Sequence, residues 1–123
     1  MTHGDAKWLQ EQTHIALGKY DFSAHLSVSN AAAPGDLIRT TTAGYEANIT
    51  DIIIYNAAGS AAVIIFYDED SAIYTVLSVG AGETAIPTLK ASIPYGTKNI
   101  YARTDQGTNA DVTVIGRESA IYL

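Results

Sequence analysis

Three histidines could act as general bases, and their surroundings decide which chemistry is open to them. His3 and His14 precede the strand-like part of the chain, and His25 sits on the expected solvent face of a strand. Nucleophilic catalysis needs a serine, threonine or cysteine beside such a base, with a third group that orients the base. No serine lies in a Gly-x-Ser-x-Gly context, and the chain has no cysteine. The sequence therefore predicts a protein without catalytic residues.

Acidic residues and paired glycines are the other features that could hold an ion or a cofactor. The segment 68–70, Asp-Glu-Asp, is a local anionic cluster, but it lacks the glycine and the distal glutamate of a calcium-binding EF-hand loop. Aspartate is also common in turns, where its side chain bonds nearby backbone groups. Gly80 and Gly82 lack the third glycine of a phosphate-binding loop. We therefore expect a turn at each place, with no metal and no cofactor.

The composition indicates a globular chain with few charges. Hydrophobic residues make up 47% of the 123 residues and charged residues 16%, so the surface is easily buried against a partner. The net charge is −6 and the seven lysines and arginines are spread thinly, which argues against nucleic-acid binding. No stretch reaches the ~18 apolar residues of a membrane span, so no membrane partner is expected. The start lacks a secretory signal, so either the protein is used without secretion or a signal has been removed.

From residue 20 onward the pattern is that of β-strands. Residues 22–28, 99–104 and 111–116 alternate apolar and polar side chains, so one side of each strand is expected to face a core. The predicted strands cover residues 22–28, 37–42, 49–55, 61–67, 73–79, 84–89, 99–104 and 111–116, with a further edge strand at 120–123. About eight strands at a spacing near ten residues predict an all-β fold, a two-sheet antiparallel β-sandwich or jelly roll.

The strongest strand signals are residues 49–55 and 61–67, which contain the continuous apolar runs 52–55 and 61–67. Runs of this kind are typical of strands in the middle of a sheet. Only the short loop 56–60 separates them. The sequence therefore predicts that they form a central antiparallel hairpin.

Proline and glycine mark three further features. Pro87 cannot donate to a strand ladder, so the segment 84–89 is expected to be an edge strand or a bent one. Residues 93–96, Ile-Pro-Tyr-Gly, are predicted to turn the chain. The polar segment 105–109 contains a glycine and is predicted to be a hairpin loop.

The first 20 residues differ from the rest of the chain. Their pattern fits either a short helix, which Asp5 could cap, or an extended arm. We divide the chain into an N-terminal arm, residues 1–20, and a β-sandwich domain, residues 21–123. The arm is too short to form a core of its own, because a lone helix of this length is marginal in water. Its expected partner-binding residues are Trp8, Leu9, Ile15 and Leu17.

Eight tyrosines lie mostly in or beside the predicted strands. Tyrosine serves both cores and interfaces, because its ring packs while its hydroxyl stays hydrogen-bonded. Two interpretations stay open, namely packing at strand ends and an aromatic binding platform. A carbohydrate-binding module would use such a platform, usually with tryptophan, and the single tryptophan lies in the arm.

Three segments resemble those of small structural proteins of tailed bacteriophages. In that group a long strand ending in Asn leads through a small-residue loop into an apolar strand ending in Tyr-Asp. Residues 45–70 follow this pattern as YEANITDIIIYNAAGSAAVIIFYDED. The segments 93–105, IPYGTKNIYARTD, and 112–118, VTVIGRE, are similar too.

The resemblance implies a β-sandwich virion component, a capsid decoration (cement) protein without catalytic residues. Such proteins often form trimers on the shell and use terminal arms to clasp it. The implied partners are therefore further copies in a homotrimer and the major capsid protein or another virion subunit. The implied location is the capsid surface, after synthesis in the host cytoplasm. The alternative is a receptor- or glycan-binding module of a phage fibre or of an extracellular protein.

Overall fold

The computed structural model describes residues 19–105 and 109–121. These residues form nine strands and no helix. The strands are β1 (Lys19–Val28), β2 (Asp36–Arg39), β3 (Tyr45–Asn56), β4 (Ala62–Tyr67), β5 (Ile73–Val79), β6 (Thr84–Ala85), β7 (Ile93–Gly96), β8 (Ile100–Thr104) and β9 (Ala110–Ala120).

Two antiparallel sheets pack face to face. Sheet A has the order β1-β9-β3-β6, with β7 also paired to β3, and sheet B has the order β2-β8-β4-β5. The core lies between the sheets, because alternate residues of the long strands point inward. Examples are Ile52 and Ile54 of β3, Val114 of β9, and Ile64 and Phe66 of β4, all of them fully buried. The predicted all-β, two-sheet sandwich is confirmed.

The period-two pattern also assigned the strand faces correctly. In β1, Phe22 and Val28 are buried, and Ala24 and Leu26 pack partly buried against the core. His25 is exposed on the opposite side, as expected. In β8 and β9 the residues with even numbers point inward in the same way.

The predicted hairpin between the two apolar runs is wrong. Strand β3 belongs to sheet A and β4 to sheet B, so the loop between them crosses from one sheet to the other. The buried Asn56 holds this crossing. Its Nδ2 donates to the carbonyl oxygens of Ser60 at 2.9 Å and Gly80 at 3.2 Å, and its Oδ1 accepts the Ala58 N–H at 3.0 Å. A buried amide is stable only when it is hydrogen-bonded in this way, and the bonds fix the chain direction after β3.

Other sequence-based boundaries need correction. Residues 93–96 form strand β7 instead of a turn, since they pair with residues 47–49 in the N-terminal part of β3. The predicted strand 84–89 is reduced to Thr84–Ala85 at the end of the sheet A order, before Pro87. The segment after Thr104 joins β8 of sheet B to β9 of sheet A, so it is not a hairpin loop.

The ends of the described chain limit two other predictions. Strand β9 runs without a break to Ala120, where a separate edge strand was expected to begin. Residues 122–123 lie outside the described residues. So do residues 1–18, and with them the four partner-binding candidates Trp8, Leu9, Ile15 and Leu17, so the role of the arm stays a prediction.

A buried ion pair ties the two sheets together at one end. Arg39 of β2 donates from Nε and Nη2 to Oε1 of Glu118 in β9, at 3.2 and 2.9 Å. Glu118 is only 1% exposed, and its Oε1 also accepts the Thr42 N–H at 3.1 Å. The Arg39 guanidinium lies 4.2 Å from the centroid of the Phe22 ring. Burial alone would raise the pKa of Glu118, but the hydrogen bonds from Thr42 and Arg39 and the Arg39 charge outweigh burial and lower the pKa.

Candidate interaction surfaces

The acidic segment 68–70 forms the turn between β4 and β5. Asp68 is buried, its Oδ1 accepts the N–H groups of Asp70 and Ala72 at 2.8 and 3.1 Å, and its Oδ2 accepts the Tyr74 hydroxyl at 2.9 Å. Burial alone would raise the Asp68 pKa, but the hydrogen bonds from Ala72, Tyr74 and Asp70 together lower it. This is the turn chemistry that the sequence predicted for aspartate.

The other two acids of the turn bind the loop before β8. Glu69 Oε1 accepts the Asn99 N–H at 3.2 Å, and Lys98 Nζ lies 2.7 Å from Asp70 Oδ2. Carboxylate oxygens of the three acids can lie within 4.8 Å of one another, close enough for a metal ion. Each carboxylate already accepts a hydrogen bond from the protein, so the contacts of the turn account for the three acids.

Three of the tyrosines are packed inside the chain: Tyr95 and Tyr74 lie in or against the core, and Tyr67 is buried on sheet B beneath Arg103. Tyr95 of β7 is buried and stacks on Tyr74 of β5, with ring centroids 3.9 Å apart and planes 7° from parallel. Its hydroxyl donates to the carbonyl oxygen of Tyr67 at 3.1 Å, a contact between the two sheets. Burial, followed by the hydrogen bond to Asp68 and the nearby acidic charges, raises the pKa of Tyr74 to about 12. For these three, the packing interpretation is right.

The remaining described tyrosines do not gather into one platform. Tyr20 and Tyr45 lie side by side, with ring centroids 5.1 Å apart and hydroxyls 3.1 Å apart. Tyr55 is on the outer face of sheet A and Tyr101 on that of sheet B, as their partners Asp111 and Leu37 show. Tyrosine is therefore distributed over the core and several separate surfaces.

An open depression of about 550 Å³ lies on the outer face of sheet A. It sits where a bulge between Ile49 and Asp51 disturbs the pairing of β3 with β9. Arg117 Nε donates to Asp21 Oδ1 at 2.9 Å across this depression, and both side chains are half exposed or more. Among the described residues that line it, Ile115 is the large apolar side chain and none is aromatic.

The outer face of sheet B is apolar across all four of its strands. The register places Leu37, Tyr101 and Tyr67 in one row with Ile73, and Ile65 beside Val76 in the next row. Leu37 is 43% exposed, Val76 53% and Ile73 62%. We define the apolar face as the outward side chains of Leu37, Val63, Ile65, Ile73, Val76 and Tyr101.

One charged side chain lies among these residues, within the described strands of sheet B. Arg103 stands beside Ile65 in β8, and its Nε donates to the Tyr67 hydroxyl at 2.8 Å and its Nη1 to the Ala31 carbonyl at 3.1 Å. The guanidinium covers Tyr67, 5.7 Å from its ring centroid. The guanidinium is therefore held within its own chain by neutral groups, and it is the single charge beside the apolar face in the described strands of sheet B.

Sequence reasoning did not single out the apolar face. The signal was present in the run 61–67, where inward Ile64 and Phe66 alternate with outward Val63 and Ile65. When a strand is apolar on both faces, its outer side is typically covered by another layer of the same chain or by a partner protein.

Residues 19–105 and 109–121 contain no helix long and apolar enough to cross a membrane. Comparison of the sequence with protein families and with curated proteins found no match.

Proposed function

We propose that the protein is a non-enzymatic virion component, a capsid decoration protein that stabilises a bacteriophage shell by bridging neighbouring subunits. The observation that carries the proposal is the apolar face, which extends over four strands of a chain with net charge −6. Contiguous exposed apolar patches of this kind mark protein–protein contacts. The resemblance of residues 45–118 to small tailed-phage structural proteins is the reason for assigning this contact to a virion.

The mechanism is binding alone. Apolar surface on the sandwich and on the arm is buried between subunits, at roughly 25 cal/mol for each Å² removed from water. Many copies on one shell add avidity, so the individual contacts need only modest affinity. The partners are further copies of the chain, as a homotrimer, and the major capsid protein or another virion subunit. The protein acts on the capsid surface after synthesis in the host cytoplasm.

One observation favours a second function, a receptor- or glycan-binding module of a fibre or of an extracellular protein. The depression around Asp21 and Arg117 offers polar groups to a small hydroxylated ligand. Sugar sites usually add an aromatic platform, and no described lining residue supplies a ring. Saturable binding of soluble glycans that is lost in Arg117→Ala would favour this module over the decoration protein.

The arm gives the proposal its functional test. All nine described strands begin at or after Lys19, so removal of residues 1–18 leaves every strand intact. We expect a nearly unchanged melting temperature and much weaker binding to purified capsids. Complete burial of one large apolar side chain contributes ~1.5–3 kcal/mol, which corresponds to roughly tenfold or more in affinity.

Point variants of the full chain separate the apolar contacts from simple shortening. Trp8→Ser with Leu9→Ser should weaken capsid binding, whereas Gln10→Ser with Gln12→Ser should not. A large drop in melting temperature with capsid binding intact would show instead that the arm completes its own sandwich.

A further inference from the structure

We infer that the apolar face is the surface through which the protein associates with a second copy of itself. The inference rests on the proposed homo-oligomeric virion protein and assigns the contact to one side of the sandwich. The occupant is sheet B of a neighbouring chain, and in the proposed homotrimer the three apolar faces meet around the three-fold axis.

The distribution of charge favours this side for a contact between identical chains. The outer face of sheet A exposes four acids, of which Asp21 is paired with Arg117, so pairing through that face would place Glu46, Asp51 and Asp111 of two copies together. Like charges in a contact are unfavourable. The apolar face itself includes no acid, and the one charge beside it in the described strands is that of Arg103, which is held by the Tyr67 hydroxyl and the Ala31 carbonyl. Two copies that each carry a charge of −6 therefore approach most favourably through sheet B.

The acids around this face are already engaged, and those of the turn 68–70 bind Tyr74, Asn99 and Lys98. Asp105 follows β8 and its Oδ1 accepts the Val63 N–H at 2.9 Å. Asp36 begins β2 and its Oδ2 accepts the N–H groups of Ser29 and Asn30 at 2.9 and 3.1 Å. These carboxylates lie at the rim of the contact, where they need not be desolvated.

The dimensions of the face match a sheet better than a single segment of chain. Four strands at ~4.8 Å spacing and about six residues of ~3.3 Å each give roughly 400 Å² in projection per copy. Even full contact between two such faces removes only about 800 Å², below the ~1,000 Å² at which stable interfaces begin, so the expected association is weak. One extended segment, such as part of residues 1–18, covers about one strand spacing and leaves most of the face bare.

The edge of sheet B points to the same conclusion. Among the described strands, β5 pairs with β4 alone, so its other side presents free backbone groups beside Ile73 and Val76. A free edge next to an apolar face invites open-ended pairing. Closed association in which the β5 edge also lies against a neighbouring chain prevents such pairing.

Sedimentation velocity of the full chain tests the inference with the Val76→Lys variant. Val76 is 53% exposed, so the free subunit tolerates lysine, whereas the contact would bury an unpaired ammonium. We expect wild type to associate at ~10–100 µM and the variant to dissociate at least tenfold more readily. The matched control is Ile86→Lys, since Ile86 is 66% exposed in the loop after β6, outside the face, and should associate like wild type.

A wild-type chain that stays monomeric across this range would overturn the inference, as would equal association of the Val76→Lys and Ile86→Lys variants. The result is independent of capsid binding, which is measured separately. Val76→Lys protein that is monomeric but still binds capsids supports the assigned face. Self-association through the face without any capsid binding would support the inference and refute the decoration role alone.

Discussion

Aspartate in place of Ile64 should unfold the protein, whereas aspartate in place of Ile53 should leave it folded. Ile64 is fully buried between the sheets, and Ile53 is half-buried on the outer face of β3. A carboxylate at position 64 would lie in the core without a partner, at a cost of about 5 kcal/mol or more. That cost is comparable with the whole stability of a small domain, roughly 5–15 kcal/mol.

Circular dichroism and urea unfolding measure the difference. Ile53→Asp should unfold in one cooperative transition near the wild-type midpoint, and Ile64→Val should lose only ~0.5–1.5 kcal/mol. Ile53→Asp and Ile64→Asp each place an aspartate in the middle of a strand, so Ile53→Asp controls for the loss of β propensity. A soluble Ile64→Asp variant with a cooperative transition would contradict the placement of β4 in the core.

Disruption of the pair between Arg39 and Glu118 should give the next largest effect. Arg39→Met keeps an apolar contact with Phe22 but leaves the buried Glu118 without its cation. Loss of one partner of a buried pair costs ~3–5 kcal/mol, and we expect about 3 kcal/mol because part of the arginine is exposed. The double variant with Glu118→Gln should recover much of this loss, since the uncompensated charge is gone. Urea unfolding of the four proteins measures the coupling energy, and additive effects would contradict the pair.

The same pair predicts a dependence of stability on pH. The pKa of Glu118 in the folded protein is below its ordinary value of 4.5, so the folded state binds the proton less tightly than the unfolded state. The stabilisation is therefore complete above pH 4.5 and is lost as the pH falls through the folded-state pKa. Asp68 acts in the same direction from its ordinary value of 3.8. The difference in unfolding free energy between wild type and Glu118→Gln should shrink in acid, and a difference that is constant with pH would contradict this.

Local patterns were enough for the fold class and for the inward faces of β1, β8 and β9. Alternation depends only on the chain itself, so it survives without knowledge of the neighbouring strands. The choice of partner strand cannot be predicted from the chain alone, as β3 and β4 show. Their loop looks like that of a hairpin, but the buried Asn56 binds carbonyl groups near β5 and directs the chain to the other sheet. Pro94 and Gly96 suggest a turn locally, and only pairing with β3 makes their segment a strand.

Of the candidate interaction surfaces, the sequence predicted the acidic turn but not the apolar face. Asp68 was assigned to a turn because aspartate bonds backbone groups close in sequence, and the structure shows those bonds. The apolar face was missed because the sequence around Val63 and Ile65 reads the same whether or not a second layer of protein covers these side chains. Leu37, Ile73 and Val76 come from separate strands, and only the register of sheet B brings them beside one another.

Cryo-electron microscopy of the native particle that contains the chain tests the proposed function most directly. We expect density for the two-sheet sandwich on the outer surface of the shell, above the junctions between capsid subunits. Neighbouring copies should meet through the apolar face, and residues 1–18 should lie against the shell. Density for the sandwich at the end of a tail fibre, with none on the capsid, would contradict the decoration role.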